Sequence, residues 1–334
     1  MSKMCRRARR ERSDDRGTSA APRVSIGLPV YNGEKYLGEA FDALLGQTFE
    51  DFELIVSDNA SNDETPRICS AYQERDPRIR YFRQPKNIGL APNHNFVIGQ
   101  ARGELFKSAH HDDLCARDLL QRCVDALDEH PEAVLANTWS AAVDSTTVVT
   151  HLIDYTTSTS LPNASDRFES MLFDGWGDDY GGVVRMSTLR SVAPLNSYHF
   201  ADRIFTTELG LHGPFCILPD RLQFRRVHPE QAGRVSDVRA RCTVLDPRRG
   251  DRLRHPAIRL YSEYVAGYVR AIWQAPLSLT ERKNCYGVLV KWVGSRVTPF
   301  LGRTLSGRGL VAEDKLREVK VPFSLTDVVA GIGE

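Results

Sequence analysis

The chain has 334 residues, enough for one large domain or two smaller ones at roughly 150 residues per domain. Hydrophobic residues make up 41% of it and charged residues 26%, which is typical of a soluble globular protein. The formal net charge of +1 argues against wholesale nucleic-acid binding, which usually requires a strong basic excess. No stretch approaches the roughly 20 apolar residues that a transmembrane helix needs.

The N-terminal residues and the pattern of cysteines indicate the cellular compartment of the protein. Residues 1–22 are basic and lack an apolar core, which excludes a secretion signal and predicts a disordered basic tail. The seven cysteines are scattered and none forms C-x-x-C, which argues against a disulfide framework and against a thiolate zinc site. We therefore expect a cytoplasmic protein, with Cys69 and Cys123 on the apolar faces of helices.

Short apolar runs alternate with segments of helical period as far as about residue 145. The runs predict strands over 23–30, 52–58, 78–84, 103–109 and 132–145. The segments between them predict helices over 34–48, 61–75, 91–101 and 116–131. Strands that alternate with helices of this length indicate an α/β fold with a mostly parallel, doubly wound sheet.

The pattern changes beyond residue 145. Residues 147–154 are expected to form a hairpin with the preceding strand, turning at Asp144-Ser145, and 164–190 a short helix, a Gly-rich loop and a strand. A helix is predicted over 200–213, and two extended segments over 214–231 that turn near Pro219-Asp220. Residues 229–255 are polar and predict a loop. Helices are expected after it, punctuated by Pro256, Pro276 and Pro299.

Polar clusters follow three of the predicted strands: "PVYNGE", "SDNASND" and "HHDDL". Ligands of parallel α/β sheets bind beyond the carboxyl ends of the strands, so three clusters at one edge favour a site over separate solvated loops. The chain has neither G-x-G-x-x-G after its first strand nor the P-loop pattern. The carboxylates of Asp112 and Asp113 instead suit a divalent cation that carries phosphate oxygens as further ligands.

These segments resemble a known family when their order and spacing are taken together. The stretch from "VSIGLPVYNGEKYL" to "SDNASNDET", then "NIGLAPNHN", "HHDDL", "YGGVVRMSTLR", "FADRIFTTELGLHG" and "RRVHPEQ", resembles the family 2 nucleotide-sugar glycosyltransferases, which have the GT-A fold. The resemblance implies a Rossmann-like GT-A domain over 23–235. Its nucleotide-binding half would be about 23–115 and its acceptor half about 116–235, followed by a mostly helical region over 236–334.

The resemblance implies a role for particular residues of the nucleotide-binding half. Those expected to bind the nucleotide are Pro29, Tyr31, Glu34, Asp58, Asn59, Asn93 and Asp112. Asp58 would contact the base, and Asp112 the ribose. Asn93 stands where several members have an arginine, and His110 replaces the first carboxylate of the family's D-x-D motif. Asp113 and His228 would hold Mn²⁺ or Mg²⁺.

In the acceptor half, Asp202 matches the catalytic base of the family. An inverting transfer needs a base within hydrogen-bond reach of the attacking hydroxyl. The alternative is that Asp202 is a helix N-cap. The residues that would line the acceptor site, the two aspartates being rival bases, are Trp176, Asp178, Asp179 and Tyr180. Arg225 and Arg226 could contact phosphate, although strand alternation directs one of them away.

The implied function is an inverting transfer of a hexosyl group from a nucleotide diphosphate sugar, with UDP favoured. The acceptor would be a glycan, a lipid-linked sugar or a small molecule, and the arginine- and alanine-rich usage suggests a high-GC bacterium. The alternatives are an inactive relative that serves as a binding protein, and a nucleotidyltransferase. The basic and aromatic residues of 251–310 predict packing onto the catalytic domain, peripheral contact with the inner face of a membrane, or a homodimer.

Overall fold

The computed structural model describes residues 21–155, 159–173, 181–229, 238–304 and 317–318. Strands in these ranges form one mixed sheet. They are β1 Val24–Val30, β2 Phe52–Asp58, β3 Ile79–Arg83, β4 Leu105–Ser108, β5 Leu114–Cys115, β6 Leu135–Val143, β7 Val149–Ile153, β8 Val183–Arg185, β9 Phe215–Arg226 and β10 Arg317–Glu318. The α-helices are α1 Leu37–Leu45, α2 Thr65–Arg75, α3 Leu90–Gln100, α4 Leu119–Glu129, α5 Ala164–Phe173, α6 Met186–Leu189, α7 Ala201–His212, α8 Val238–Leu245, α9 Ala257–Gln274 and α10 Leu279–Thr304.

The first four strands are parallel, in the order β3-β2-β1-β4, as the alternation of strands and helices predicts. Strand β1 lies at the centre and is buried along nearly all of its length. Pro29, which has no N–H to donate, lies beyond Gly27, the last β1 residue paired with β4. Gly27 itself is needed for packing, because a Cβ there would lie 2.5 Å from the ring of Phe106 and 2.8 Å from Val97 of α3.

The second half of the sheet is mixed. Strand β8 is antiparallel to both β4 and β6, and β7 pairs with the far part of β6 in the predicted hairpin. The whole other edge of β6 pairs in parallel with β9, which also reaches β5. The long strand β9 therefore connects the far half of the sheet to the segment that follows β4.

Three of the predictions from the sequence are wrong. Residues 215–226 form one strand, and Pro219-Asp220 are accommodated in a bulge between the pairs Leu218–Thr138 and Arg221–Trp139. The predicted loop over 229–255 contains α8 and a 3₁₀ turn over Pro247–Gly250. Pro299 lies inside α10 rather than at its end.

The late helices α9 and α10 pack on α5 and α7. Tyr268 of α9 is buried between the rings of Phe168, Tyr264 and Trp292, at centroid distances of 5.2–5.9 Å. Packing, the first of the three expectations for this region, is therefore confirmed for these aromatic residues, whereas Trp273 is 69% exposed. The architecture is a mixed α/β sheet flanked by helices with C-terminal helices added, in agreement with the predicted fold class. Cys69 and Cys123 lie in the core as expected.

Candidate active site

The loops after β1 and β2 are bound to each other at the carboxyl edge of the sheet. The backbone N–H of Asn32 donates to Ser61 Oγ, and the N–H of Gly33 donates to Thr65 Oγ1. Asn32 has a φ of 50°, a left-handed conformation that asparagine tolerates better than most residues. The predicted convergence of "PVYNGE" and "SDNASND" is thus confirmed as a pair of interlocked loops.

Asp58, at the end of β2, has no exposed surface. Its carboxylate accepts hydrogen bonds from the Ser61 N–H and the Tyr81 hydroxyl and lies 3.4 Å from Nε of Arg83. Asn59 beside it accepts from the Ile88 N–H and donates to Asn87. Both side chains therefore organise the loops from within, and their contact with a base stays a prediction.

The other nucleotide candidates divide into exposed and buried residues. Tyr31 is 44% exposed at the end of β1, where its ring is accessible to a ligand. Glu34 is also exposed, and its carboxylate accepts the Glu64 N–H at the start of α2. Asn93 is buried, accepts a hydrogen bond from the Ser57 hydroxyl through Oδ1 and donates one to the Ser57 carbonyl oxygen through Nδ2. These bonds tie α3 to β2 and account for Asn93 without a ligand.

The segment "HHDDL" follows β4 and folds back under β9. Asp112 is buried and its Oδ2 lies 3.0 Å from Nε2 of His228, more than a hundred residues later. Asp113 accepts the backbone N–H of Arg226 at 3.0 Å and lies 2.9 Å from Nδ1 of His110. The structure thus brings together three of the residues singled out from the sequence: Asp112, Asp113 and His228.

The contact between His110 and Asp113 favours the charged form of both groups. Burial opposes ionisation of each, but His110, Arg225 and the N–H of Arg226 together hold the pKa of Asp113 below its ordinary value. Asp113 and Asp112 hold the pKa of His110 above its ordinary value in return. His110, when its ring is protonated, therefore forms an ion pair with Asp113.

Arg226 of β9 ties this loop to the turn after β6 and to the start of α1, and nothing in the sequence indicated that role. Its side chain is wholly buried, and its Nε donates to the carbonyl oxygen of Asp112 at 3.0 Å. One Nη donates to the carbonyl oxygen of Ser145 and the other forms an ion pair with Glu39 at 2.5 Å. The guanidinium also lies 4.4 Å from the ring centroid of Tyr36. Alternation along β9 directs Arg225 to the opposite side, as predicted.

The metal-ligating side chains at this site could hold a divalent cation only if phosphate oxygens supplied further ligands. In the described ranges, no three His, Cys, Asp or Glu side chains are grouped closely enough to hold a metal by themselves. His228 nevertheless has a buried Nδ1 without a hydrogen-bond partner, while its Nε2 faces the Asp112 carboxylate. A carboxylate on one ring nitrogen fixes the tautomer that leaves the other nitrogen available as a ligand. Mg²⁺ in diphosphate sites is commonly held by one or two carboxylates plus phosphates.

Asp202 is the second residue of α7, a helix that packs against α5 and α9. The N-cap position belongs to Phe200, whose φ of 54° is left-handed, and no side chain caps the helix. The N-cap alternative for Asp202 is therefore wrong. Its carboxylate lies in the first turn, where the positive end of the helix dipole favours an anion. The predicted acceptor residues Trp176, Asp178, Asp179 and Tyr180 lie outside the described residues.

Part of the chain is similar in sequence to known proteins. Residues 25–183 match the model of glycosyl transferase family 2. The chain is 31% identical over 106 residues to glycosyltransferase GlyG of Streptococcus pneumoniae, which is 32% of this chain and 35% of that protein. It is 31% identical over 117 residues to a chondroitin synthase of Escherichia coli, or 35% of this chain and 17% of that one. The matches therefore span well under two thirds of these relatives.

A solved structure extends the comparison beyond the matched segment. The crystal structure of S. aureus TarS 1–349 in complex with UDP-GlcNAc superposes with a TM-score of 0.52 at 15% identity. It covers 90% of this chain and 97% of that one, which is a likeness of fold. Residues 25–183 accordingly resemble the glycosyl transferase family 2 domain, and the chain has a GT-A type of fold.

Proposed function

We propose that the chain is an inverting glycosyltransferase that moves a hexosyl group from a nucleotide diphosphate sugar, with UDP favoured, to an acceptor hydroxyl. The observation that carries the proposal is the meeting of three side chains beyond the carboxyl end of β4: Asp112 and Asp113 lie within the segment that matches family 2, and His228 reaches them from beyond it. The S. aureus relative of the same fold was solved with UDP-GlcNAc, which supports a donor of this class. A glycan, a lipid-linked sugar or a small molecule would serve as acceptor.

The reaction assigns one task to each group. Asp202 accepts the proton of the acceptor hydroxyl, and the oxygen attacks the anomeric carbon from the face opposite the diphosphate. The bond to the diphosphate breaks as the new glycosidic bond forms, so the configuration inverts. Tyr31 and Pro29 line the nucleoside pocket together with the interlocked loops of Asp58 and Asn59.

Asp113 and Nδ1 of His228 would hold Mn²⁺ or Mg²⁺, which supplies positive charge to the leaving diphosphate. Asp112 orients His228 for this task through the bond to Nε2. The Arg226 side chain holds the backbone of Asp112 in place through its bond to the carbonyl oxygen, and the backbone N–H of Arg226 positions the Asp113 carboxylate.

We also propose that the catalytic domain ends near residue 235. The family match ends at residue 183, but β9 supplies a full edge of β6 and leads to His228. A domain cut at residue 183 would lack both. No helix in the described ranges combines the length and apolar character needed to cross a bilayer.

A thermal-shift screen tests the proposal. UDP, GDP, dTDP and ADP are each added with and without Mn²⁺ to the wild type, to Asp113→Asn and to Asp202→Asn. A ligand present at 100 times its Kd adds about 2.7 kcal/mol of stability. We expect one diphosphate to stabilise the wild type and Asp202→Asn in the presence of Mn²⁺, and Asp113→Asn much less.

Turnover separates the enzyme from a binding protein, the alternative suggested by His110. The wild type should slowly hydrolyse the donor whose base the screen identifies, and Asp202→Asn should not. Binding without turnover in the wild type would favour the binding protein. If none of the four diphosphates shifts the melting temperature, the proposal of a nucleotide-binding site is refuted.

A further inference from the structure

A pocket lies between β4, β5, β9 and α1, directly beside Asp113. The side chains that line it and bear on its chemistry are Leu44, Lys107, His110, Asp113, Gln223 and Arg225. Asp113 is the one carboxylate of the described lining, against the two long basic side chains of Lys107 and Arg225. The lining is thus poorly suited to a second cation and well suited to an anion.

Lys107 lines this pocket and has no role in the reaction proposed above. Its side chain is only 5% exposed, although lysine is rarely buried to this degree without a carboxylate partner. Its ammonium donates to the carbonyl oxygen of Gly181, and no carboxylate among the described residues pairs with it. Burial of an ammonium against one neutral oxygen is unfavourable, and a methionine or leucine would fill the same volume at lower cost.

The direction of Lys107 follows from strand alternation. Phe106 of β4 packs toward α3, where its ring lies close to Gly27, and Ser108 contacts His94 of α3 at 3.3 Å. Lys107 therefore extends from the opposite face of the sheet, into the pocket beneath β9. An ammonium has three N–H donors and no acceptor, so one bond to Gly181 leaves two donors for a ligand.

We propose that Lys107 is the binding residue of an oxyanion subsite in this pocket, next to the proposed cation position. The ligand is a phosphate or carboxylate group of the substrate. It could be the β-phosphate of the nucleotide or an acidic group on the transferred sugar. This inference rests on the proposed function for the identity of the substrate, but the subsite itself does not require it.

Three variants of Lys107 distinguish the effect of its charge from the effect of its hydrogen bond to Gly181. Lys107→Gln removes the charge and keeps an N–H that can donate to Gly181, Lys107→Arg keeps the charge, and Lys107→Met removes both. Lys291→Met is the matched control, because Lys291 is a surface lysine paired with Glu169 on the far helices. The readout is the affinity of each variant for UDP, UMP, UDP-glucose, UDP-glucuronate and inorganic pyrophosphate, by calorimetry in the presence of Mn²⁺.

Two results would support the subsite and identify its ligand. If the β-phosphate is the ligand, Lys107→Gln weakens UDP and pyrophosphate ten- to a hundredfold and leaves UMP within twofold, as expected for a lost charge-assisted bond. If an acidic sugar is the ligand, Lys107→Gln abolishes a preference for UDP-glucuronate over UDP-glucose and leaves UDP unchanged. Lys107→Arg should restore most of the affinity in either case.

The opposite result is equally well defined. Equal affinities of Lys107→Gln and the wild type for all five ligands would overturn the subsite and leave Lys107 as a tether to Gly181. Failure of the proposed function is distinguishable, because the wild type would then bind none of the nucleotides. Pyrophosphate would still decide the subsite: binding lost in Lys107→Gln supports it, and no binding by the wild type overturns it. If Lys107→Met does not fold, Lys107→Gln and Lys107→Arg carry the comparison alone.

Discussion

Replacement of Arg226 by methionine should destabilise the protein more than almost any other single change near the site. The variant loses the bonds to the carbonyl oxygens of Asp112, at 3.0 Å, and Ser145, at 3.3 Å, and leaves the first of these buried without its donor. Hydrogen bonds to a charged group contribute about 1.5–3 kcal/mol each. The ion pair with Glu39 adds little, because the Glu39 side chain is 44% exposed and can be rehydrated.

Methionine fills much of the volume and recovers part of the contact with Tyr36. We therefore expect a loss of about 3–4 kcal/mol in the free energy of unfolding. Arg226→Lys should lose about half as much, since a lysine keeps the charge but reaches fewer of the acceptors. Arg225→Met, one position along the same strand and only partly buried, is the matched control and should lose under about 1 kcal/mol.

The assay is urea unfolding followed by far-UV circular dichroism, with the midpoint and slope compared between variants. A fall in the midpoint at an unchanged slope would confirm the expectation. If Arg226→Met lies within about 1 kcal/mol of the wild type, the guanidinium does not hold the carboxylate loop and the account of Arg226 is refuted.

Three further predictions concern other parts of the molecule. Asp202→Asn should lower kcat by a factor of roughly 10²–10⁴ and leave the KM for the donor within a fewfold, because a base acts on the acceptor in the transition state; steady-state kinetics with the identified donor measures this. Burial lowers the pKa of His94 to about 3, so this group is neutral in the folded state and binds a proton in the unfolded state below about pH 6.5. Stability should therefore fall as the pH drops from 6.5 toward 4, by up to about 1.4 kcal/mol per pH unit, and His94→Gln should flatten this slope in urea titrations at pH 7, 5.5 and 4.5. Tyr268→Ala should cost about 3–5 kcal/mol by urea unfolding, because Tyr268 fills the contact between the late helices and Phe168, whereas Trp273→Ala on the exposed side should cost under about 1 kcal/mol.

Membrane contact and dimer formation through the C-terminal helices stay predictions. Sedimentation with anionic vesicles would detect the first and a concentration-dependent mass the second. Trp273→Ser should weaken whichever association is present, because Trp273 is 69% exposed on α9.

The first half of the sheet could be predicted because its signals are local. Each strand from β1 to β4 is a short apolar run next to a segment of helical period, and the observed ends differ from the predicted ones by at most two residues. The polar clusters that follow these strands converge because parallel strands end at one edge. Asp112 and Asp113 were identified from their position after a strand and His228 through the family resemblance, and the structure brings the three together.

The errors arise where partners distant in sequence decide the structure. Pro219-Asp220 has the local composition of a turn, yet pairing with β6 on both sides retains the strand and places these two residues in a bulge. Helix α8 has a single buried residue, Cys242, so it shows no apolar period. Alternation in β9 indicated that one of Arg225 and Arg226 turns inward, but which of them does so depends on a register that only the folded sheet fixes.

The pairing of β9 with β6 also has a consequence for synthesis of the chain. Strand β6 emerges from the ribosome roughly 70 residues before β9, an interval on the order of several seconds at 5–20 residues per second. During that interval one entire edge of a buried, nine-residue strand has no partner. Such an edge can pair with another nascent chain, so newly made protein is most prone to aggregate before β9 is complete. Dense loading of ribosomes on one mRNA should therefore yield insoluble protein. A stop codon between β8 and β9 should do the same, even though the family-matched segment is then intact.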